Sequence, residues 1–295
     1  AAEYARTKSR ICHTEKYLKE RSLKILTGKA GKDFTFSEDD TIIVSLDKAG
    51  RMRFWDIRTL TEPDLGNPRS PPRQVEVSET LLEFHTTTPN AKSWPTSVFF
   101  FDKDKPYTKG IALRYVMVGM KQNHAFQLWD LGLNKAVQEI HLPHENESDA
   151  ICSVSFHPRT GIMAAAHPTR NSIFFVHVSC PRYSLPVLSQ AAYIARLANK
   201  NDRAQNPLPP VNATAIMTSI TEYSFASKGQ IRSLHMLNEP AGPSDDNPDN
   251  AALFELYVMH SKGVCILRIR RSDLGWKKEG EPIHPKDCLL YTSLM

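Results

Sequence analysis

Two stretches of the chain show the same order of apolar and polar positions. In the first, residues 41–46 form an apolar, β-branched run, residues 48–50 form a polar turn with a glycine, and residues 51–57 alternate between polar and apolar. In the second, Arg114 precedes the apolar run 115–119, and residues 125–131 follow after a polar turn. Alternation with period two and β-branched residues favour strands. Each stretch therefore predicts a β-hairpin, and each ends in the dipeptide Trp-Asp.

The Trp-Asp ending is typical of the blades of a WD40 β-propeller, in which four-stranded sheets stand around a central channel. Two weaker units follow along the chain. One contains the apolar runs 162–166 and 173–178, and the other contains 231–237 and 263–269. We therefore predict an all-β, WD40-like β-propeller with about four to five blades in the 295 residues.

One region departs from the strand pattern. Residues 187–203 carry apolar side chains at helical spacing, and Pro207 cannot continue a helix, so we predict a short helical insert there. We divide the chain into a basic N-terminal segment at 1–32 that is part of a preceding blade, the propeller blades at 33–271, and a C-terminal strand or tail at 272–295.

The Trp-Asp positions have a structural explanation. Trp55 would fill the gap between neighbouring sheets, where its indole N–H needs an acceptor. In many WD40 blades a turn Asp, a His, a Ser or Thr and this Trp form a hydrogen-bonded chain, and Ser45 and Asp47 stand in the matching positions. The second copy has Gly119 and Lys121 at those offsets, so we expect its network to be incomplete or differently built. The predicted structural residues are Trp55, Asp56, Asp47, Ser45, Trp129 and Asp130.

Positive charge is concentrated in two stretches. The net charge is +5, but residues 1–32 alone hold nine Lys or Arg against three Glu, and a second basic stretch spans residues 262–278. Phosphate groups attract such patches, although single-strand binders usually interleave aromatic residues, which are sparse here. A solvated surface and RNA contact therefore both stay open. The residues of possible RNA or partner contact are Arg268, Arg270, Arg271, Lys277 and Lys278.

Catalytic and metal-binding patterns are missing from the sequence. There is no Gly-x-Ser-x-Gly elbow and no Cys-x-x-Cys pair, and the closest His pair, His141 and His144, has a Pro between its members and no third ligand nearby. We predict that the protein is not an enzyme and holds neither cofactor nor metal. Five widely spaced cysteines favour reduced thiols in the cytosol or nucleus. No apolar run of about 18 residues predicts a membrane span, and the first residues lack the apolar core of a secretory signal.

The order of segments over most of residues 33–269 resembles one family, the WD40 domain of the large mRNA-decapping scaffold proteins. These are the enhancers of mRNA decapping, called Varicose in plants. The matching features, in chain order, are the turn at 37–40, the Asn-containing turn at 120–124, the run 135–140, the segment 219–223 and an acidic loop before 254–260. The resemblance implies seven blades in the intact domain and identifies this chain as a fragment, so we expect sheet faces to be left exposed.

The resemblance implies a non-enzymatic, protein-interaction scaffold in cytoplasmic mRNA decapping and 5′–3′ mRNA decay, located in P-bodies. The implied partners are subunits of the decapping enzyme complex, decapping activators and the 5′–3′ exonuclease, bound through peptide motifs. Two alternatives remain at this stage. One is an RNA-binding propeller that uses the basic stretches, and the other is an unrelated WD40 adaptor such as a ubiquitin-ligase substrate receptor.

Overall fold

A computed structural model describes the chain in ten ranges, which are 24–58, 76–87, 94–102, 112–144, 150–181, 187–199, 213–225, 229–240, 251–274 and 292–293. A short parallel ribbon joins β1 (Lys24–Ile25) to β5 (Glu76–Val77). The other described strands form four antiparallel sheets, numbered here as blades 1 to 4 in chain order.

Blades 1 and 2 each contain four strands that follow one another along the chain. Blade 1 consists of β2 (Gly31–Phe36), β3 (Ile42–Asp47), β4 (Arg51–Asp56) and β6 (Leu82–His85). Blade 2 consists of β7 (Pro95–Phe100), β8 (Tyr115–Met120), β9 (Ala125–Asp130) and β10 (Lys135–His141), and β18 (Thr292–Ser293) pairs with the outer edge of β10. Each predicted hairpin therefore forms the second and third strands of its sheet.

Blade 3 has four strands, and three strands of blade 4 are described. Blade 3 consists of β11 (Ser153–His157), β12 (Ile162–His167), β13 (Ser172–Ser179) and β14 (Ile216–Ser224). Blade 4 consists of β15 (Ile231–Leu237), β16 (Ala252–His260) and β17 (Gly263–Arg270), followed by a 3-10 turn at Ser272–Leu274. The prediction of an all-β chain built from antiparallel sheets is confirmed.

Burial differs between the middle and the ends of this row of blades. Every residue of β8, β9 and β12 is buried, as expected for sheets packed on both faces. One core cluster joins blades 1, 2 and 3, and a second joins blades 3 and 4. By contrast, β2 at one end and β17 at the other alternate between exposed and partly covered positions.

The predicted insert forms a helix, α1 (Gln190–Ala198), in the connection between β13 and β14. Its N-cap is Ser189, whose hydroxyl accepts a hydrogen bond from the Ala192 amide at 3.2 Å. The first turn is also held by blade 1, because the Gln190 amide donates to the Asp39 carboxylate at 2.8 Å. The helix thus crosses from blade 3 back to blade 1. No helix among the described residues is long and apolar enough to cross a membrane.

Candidate functional site

The first Trp-Asp hairpin is organised around a buried indole. Trp55 lies at the end of β4 and donates from Nε1 to the Ser45 hydroxyl on β3 at 2.8 Å. Asp47 closes the turn, where its carboxylate accepts from the amides of Ala49 at 2.8 Å and Arg51 at 3.1 Å. Ser45 therefore bonds the indole of Trp55, whereas Asp47 stabilises the turn, and among the described residues the two do not form one chain of hydrogen bonds with Trp55.

Asp56 faces the surface beside its neighbour Arg58. The guanidinium of Arg58 lies 2.6 Å from the Asp56 carboxylate, and this hydrogen bond holds the pKa of Asp56 below its ordinary value. An exposed ion pair of this kind contributes little to stability. In this first copy, therefore, the Trp is part of the core and the Asp is a surface residue.

The second Trp-Asp hairpin is built from different partners. Trp129 donates from Nε1 to the Gln127 side-chain oxygen at 3.2 Å, and Gln127 in turn donates to Glu139 at 2.8 Å. A Cβ atom on Gly119, where blade 1 has Ser45, would overlap the amide of Asn123. The Asn123 side chain thus occupies the space that a serine would need.

Asp130, unlike Asp56, is fully buried. Its carboxylate accepts two hydrogen bonds from Arg114, at 2.9 and 2.7 Å, and a third from the Thr214 hydroxyl at 2.7 Å. Arg114 also donates to the Ala213 carbonyl at 2.7 Å. This pair joins the two central strands of blade 2 to the segment that leads into β14 of blade 3. Sequence reasoning missed Arg114, because a single arginine at the start of an apolar strand carries no pattern.

The turn between β8 and β9 has an unusual backbone. Residues 121–123 all have positive φ, at 49°, 59° and 64°, although none is glycine. Left-handed backbone costs an ordinary residue about 1–2 kcal/mol. Hydrogen bonds to neighbouring segments offset this cost. The amides of Lys121 and Gln122 donate to the Trp94 carbonyl and the Thr96 hydroxyl, each at 2.8 Å. The Gln122 carbonyl accepts from the Cys152 amide at 3.0 Å. The turn is thereby fixed between blades 2 and 3.

A cleft of about 330 Å³ lies where the first strands of blades 1, 2 and 3 meet. Its lining combines apolar and polar groups: Asp33, Ser97, Val98, Phe99, Asn123, Val154, Ser155 and Phe156. The Asp33 carboxylate accepts from the Val98 amide at 2.9 Å and so joins β2 to β7. A cleft of this size and composition can hold one or two side chains of a bound peptide.

The two end faces of the row carry exposed apolar side chains. On blade 1, Phe34 and Phe36 alternate along β2 and are 62% and 48% exposed. On blade 4, Val264 and Ile266 are each 59% exposed and pair with Met259 and Tyr257 of β16. Sheet faces of this composition normally pack against a neighbour. Among the described residues, both ends of the row therefore show the exposed sheet faces that we expected.

The basic residues on β17 are only partly available to a partner. Arg268 donates from Nε to Glu255 at 2.9 Å, and Glu255 is 2% exposed. Arg270 is exposed, and Arg271 is partly exposed. Lys277 and Lys278, which complete the predicted basic set, lie outside the described residues. The structure therefore brings three of the five cations to one end of blade 4.

Residues 19–225 match the family model of the EDC4-like pdc1 β-propeller. The chain belongs to this family. The resemblance to the decapping-scaffold propellers is therefore confirmed, as is the prediction of a WD40-like β-propeller, and the EDC4-like family suggests a scaffold role.

Comparison with solved structures finds the WD40 domain of coronin from Toxoplasma gondii, with a TM-score of 0.43 and 10% sequence identity. The alignment covers 83% of this chain and 47% of the coronin chain, so this chain spans about half the length of that structure. No curated protein matches the chain.

Proposed function

We propose that this EDC4-like propeller is a non-enzymatic, peptide-binding part of a scaffold for cytoplasmic mRNA decapping and 5′–3′ mRNA decay, located in P-bodies. Its family supports this role, since WD40 propellers commonly act as interaction scaffolds. The proposed partners are subunits of the decapping enzyme complex, decapping activators and the 5′–3′ exonuclease. The observation that carries the proposal is the cleft between the first strands of blades 1 to 3.

The cleft offers apolar and polar groups that a short linear motif can use. Phe99 and Phe156 offer partly exposed aromatic rings, and Asp33 and Asn123 add polar groups at the same site. A peptide could place an apolar side chain against these rings while its backbone bonds the polar groups. Weak motifs of this kind act together, because several sites on one scaffold raise the effective concentration of each partner.

The test is affinity capture from cytosolic extract with the immobilised chain, in the presence of RNase. We expect decapping-complex subunits to be recovered by the native chain, reduced by Phe99→Ser, and retained by Phe225→Ser. Phe225 is a matched control, since it is also a half-buried phenylalanine but packs between blades 3 and 4. Both variants are first compared by circular dichroism. Recovery of no decapping factor, or equal recovery by both variants, would contradict the proposal.

Direct RNA binding is a second candidate, favoured by the exposed arginine at Arg270 beside Arg268 and Arg271. Each phosphate contact would add about −0.7 to the slope of log affinity against log salt for single-stranded RNA. Substituting Arg270→Ala should then make this slope shallower, and Arg232→Ala, at an exposed position on β15, serves as the control. The ion pair between Arg268 and the buried Glu255 weighs against RNA binding. The family match weighs against the third alternative, an unrelated WD40 adaptor.

A further inference from the structure

Two histidines and a cysteine meet at the junction between blades 2 and 3. One potential ligand atom from each of His124, Cys152 and His167 lies within 4.8 Å of the other two. All three residues are buried, at 0%, 1% and 0% exposure. We propose that this cluster is a zinc site that ties the two blades together.

The strand order explains why these three residues meet. His124 follows the left-handed turn 121–123 and begins the return into β9, whereas His167 ends β12 before the corresponding turn of blade 3. Cys152 stands just before β11, the first strand of blade 3, and its carbonyl accepts from the Asn123 side chain at 2.9 Å. The same edge of two adjacent blades therefore supplies all three donors.

The donor set selects the metal. Imidazole nitrogen and thiolate sulfur are ligands of zinc and other borderline or soft ions, whereas magnesium and calcium prefer oxygen. With Zn–N near 2.0–2.1 Å and Zn–S near 2.3 Å, tetrahedral ligand atoms are about 3.3–3.6 Å apart. Small rotations of the imidazole rings, which bring the atoms together by roughly 1 Å, would complete the coordination and leave a fourth position for water.

Two neighbouring residues, His144 and Arg170, contact the histidines of the proposed zinc site. The ring of His144 stacks on His124 with centroids 5.0 Å apart and an interplanar angle of 12°, so it covers one side of the cluster. The Arg170 amide lies 3.3 Å from Nδ1 of His167. Coordination through Nε2 of His167 would place the ring proton on Nδ1, which could then no longer accept from the Arg170 amide. The metal–nitrogen bond must therefore be worth more than this long hydrogen bond.

A zinc ion here would hold the turn of blade 2, the entry to blade 3 and the end of β12 in one place. The three residues are far apart along the chain, so no local sequence pattern marks the site.

The experiment is titration of the metal-free chain with Co²⁺, followed by displacement with Zn²⁺. We expect one equivalent of Co²⁺ to bind and to give a thiolate-to-cobalt charge-transfer band, and Zn²⁺ to abolish the band and raise the melting temperature. Cys152→Ser should remove the band. His124→Gln should weaken binding by at least about 100-fold, since even loss of an outer partner of a metal ligand costs about 10–100-fold.

The matched controls are Cys265→Ser, a half-buried thiol on β17, and His235→Gln, an exposed histidine on β15. Both should bind Co²⁺ as the native chain does. Absence of the band in the native chain, its survival in Cys152→Ser, or its loss in Cys265→Ser would overturn the proposal. A further measurement needs no variant. X-ray absorption of the zinc complex of the native chain must show one sulfur ligand near 2.3 Å. A shell of nitrogen and oxygen alone would also overturn it.

Discussion

Arg114 and Asp130 form a two-bonded ion pair that is almost completely removed from solvent, with side-chain exposures of 1% and 0%. The pair lies where β8 begins and β9 ends, and both partners also bond the segment that enters β14, through Ala213 and Thr214. Two adjacent blades are therefore joined by charged hydrogen bonds as well as by apolar packing.

Removing one partner of this pair should be strongly destabilising. Arg114→Met leaves the Asp130 carboxylate buried without its counter-charge, and loss of one partner of a buried pair costs about 3–5 kcal/mol. Chemical denaturation measures the change in the free energy of unfolding. The double variant Arg114→Met with Asp130→Asn should recover part of the loss, because no net charge is then left in the core. A double variant less stable than the single one would contradict this account.

Trp55 should contribute far more to stability than its hydrogen bond does. Trp55→Ala removes a buried indole and should cost about 3–5 kcal/mol. Ser45→Ala removes only the acceptor for Nε1 and should cost about 1–3 kcal/mol, since a buried donor is left unsatisfied. Both values come from equilibrium unfolding in urea. Equal losses in the two variants would mean that the hydrogen bond, rather than the packing, dominates.

Gly119 should not tolerate a side chain. In Gly119→Ala the new methyl group meets Asn123 and the Ser97 hydroxyl, so we expect destabilisation by about 1–3 kcal/mol. Gly31→Ala is the matched control, because it is also a strand glycine and a Cβ there meets nothing within 4 Å. The melting temperature should fall in Gly119→Ala and stay near the native value in Gly31→Ala. A Gly31→Ala variant as unstable as Gly119→Ala would indicate a general effect of the substitution.

Acid should weaken the docking of α1 on blade 1. Burial alone would raise the pKa of Asp39, but hydrogen bonds from Gln190, Ser37 and Thr41 outweigh it and hold the pKa below its ordinary value. A lowered pKa in the folded state gives stability that is present at neutral pH and is lost as the pH falls through that pKa.

Asp39→Asn should accordingly reduce stability at pH 7 by a few tenths of a kcal/mol to about 1 kcal/mol, a small effect because the carboxylate is largely solvated. The difference should shrink as the pH falls through the lowered pKa of Asp39, because the native aspartate then loses its charge as well. Asp40→Asn, at the exposed neighbouring position, is the control for the loss of one negative charge from the same turn. A constant difference across the pH range would exclude the charge as the cause.

The uncovered face of blade 4 should make the chain self-associate. Val264 and Ile266 offer adjacent apolar side chains on an open sheet, and such patches bind other apolar surfaces. Ile266→Asp should lower the concentration-dependent mass measured by sedimentation. Val187→Asp, at an exposed apolar side chain outside the blades, should leave it unchanged. Association that is insensitive to Ile266→Asp would place the contact elsewhere.

The parts of the fold that the sequence predicts are those with a repeating local signal. The turn at Gly50 carries the positive φ of 80° that a glycine permits, and the strands on either side of it alternate as expected. The helix at 190–198 lies within the insert predicted at 187–203 from its apolar spacing. In each case the deciding interactions lie within a few residues, so the pattern is visible along the chain.

The parts that the sequence does not predict depend on residues distant along the chain. Asp130 meets Thr214, and His124 meets Cys152 and His167, only after the blades have packed. The turn at 121–123 has no glycine and still adopts left-handed backbone, because acceptors and donors from neighbouring segments hold it. Packing, rather than local preference, decides these positions.

The return of α1 to blade 1 changes how unfolding can spread through the protein. A row of blades that touch only their neighbours would open stepwise from either end. Here Gln190, in the insert between β13 and β14 of blade 3, bonds Asp39 of blade 1 and the backbone of Leu113, just before β8 of blade 2. Blades 1 to 3 with α1 therefore form one cooperative unit that shares a single core. Blade 4 shares the second cluster with blade 3 and is also joined to it by hydrogen bonds at Asn171 and His157, so it can open as a separate unit while blades 1 to 3 stay folded.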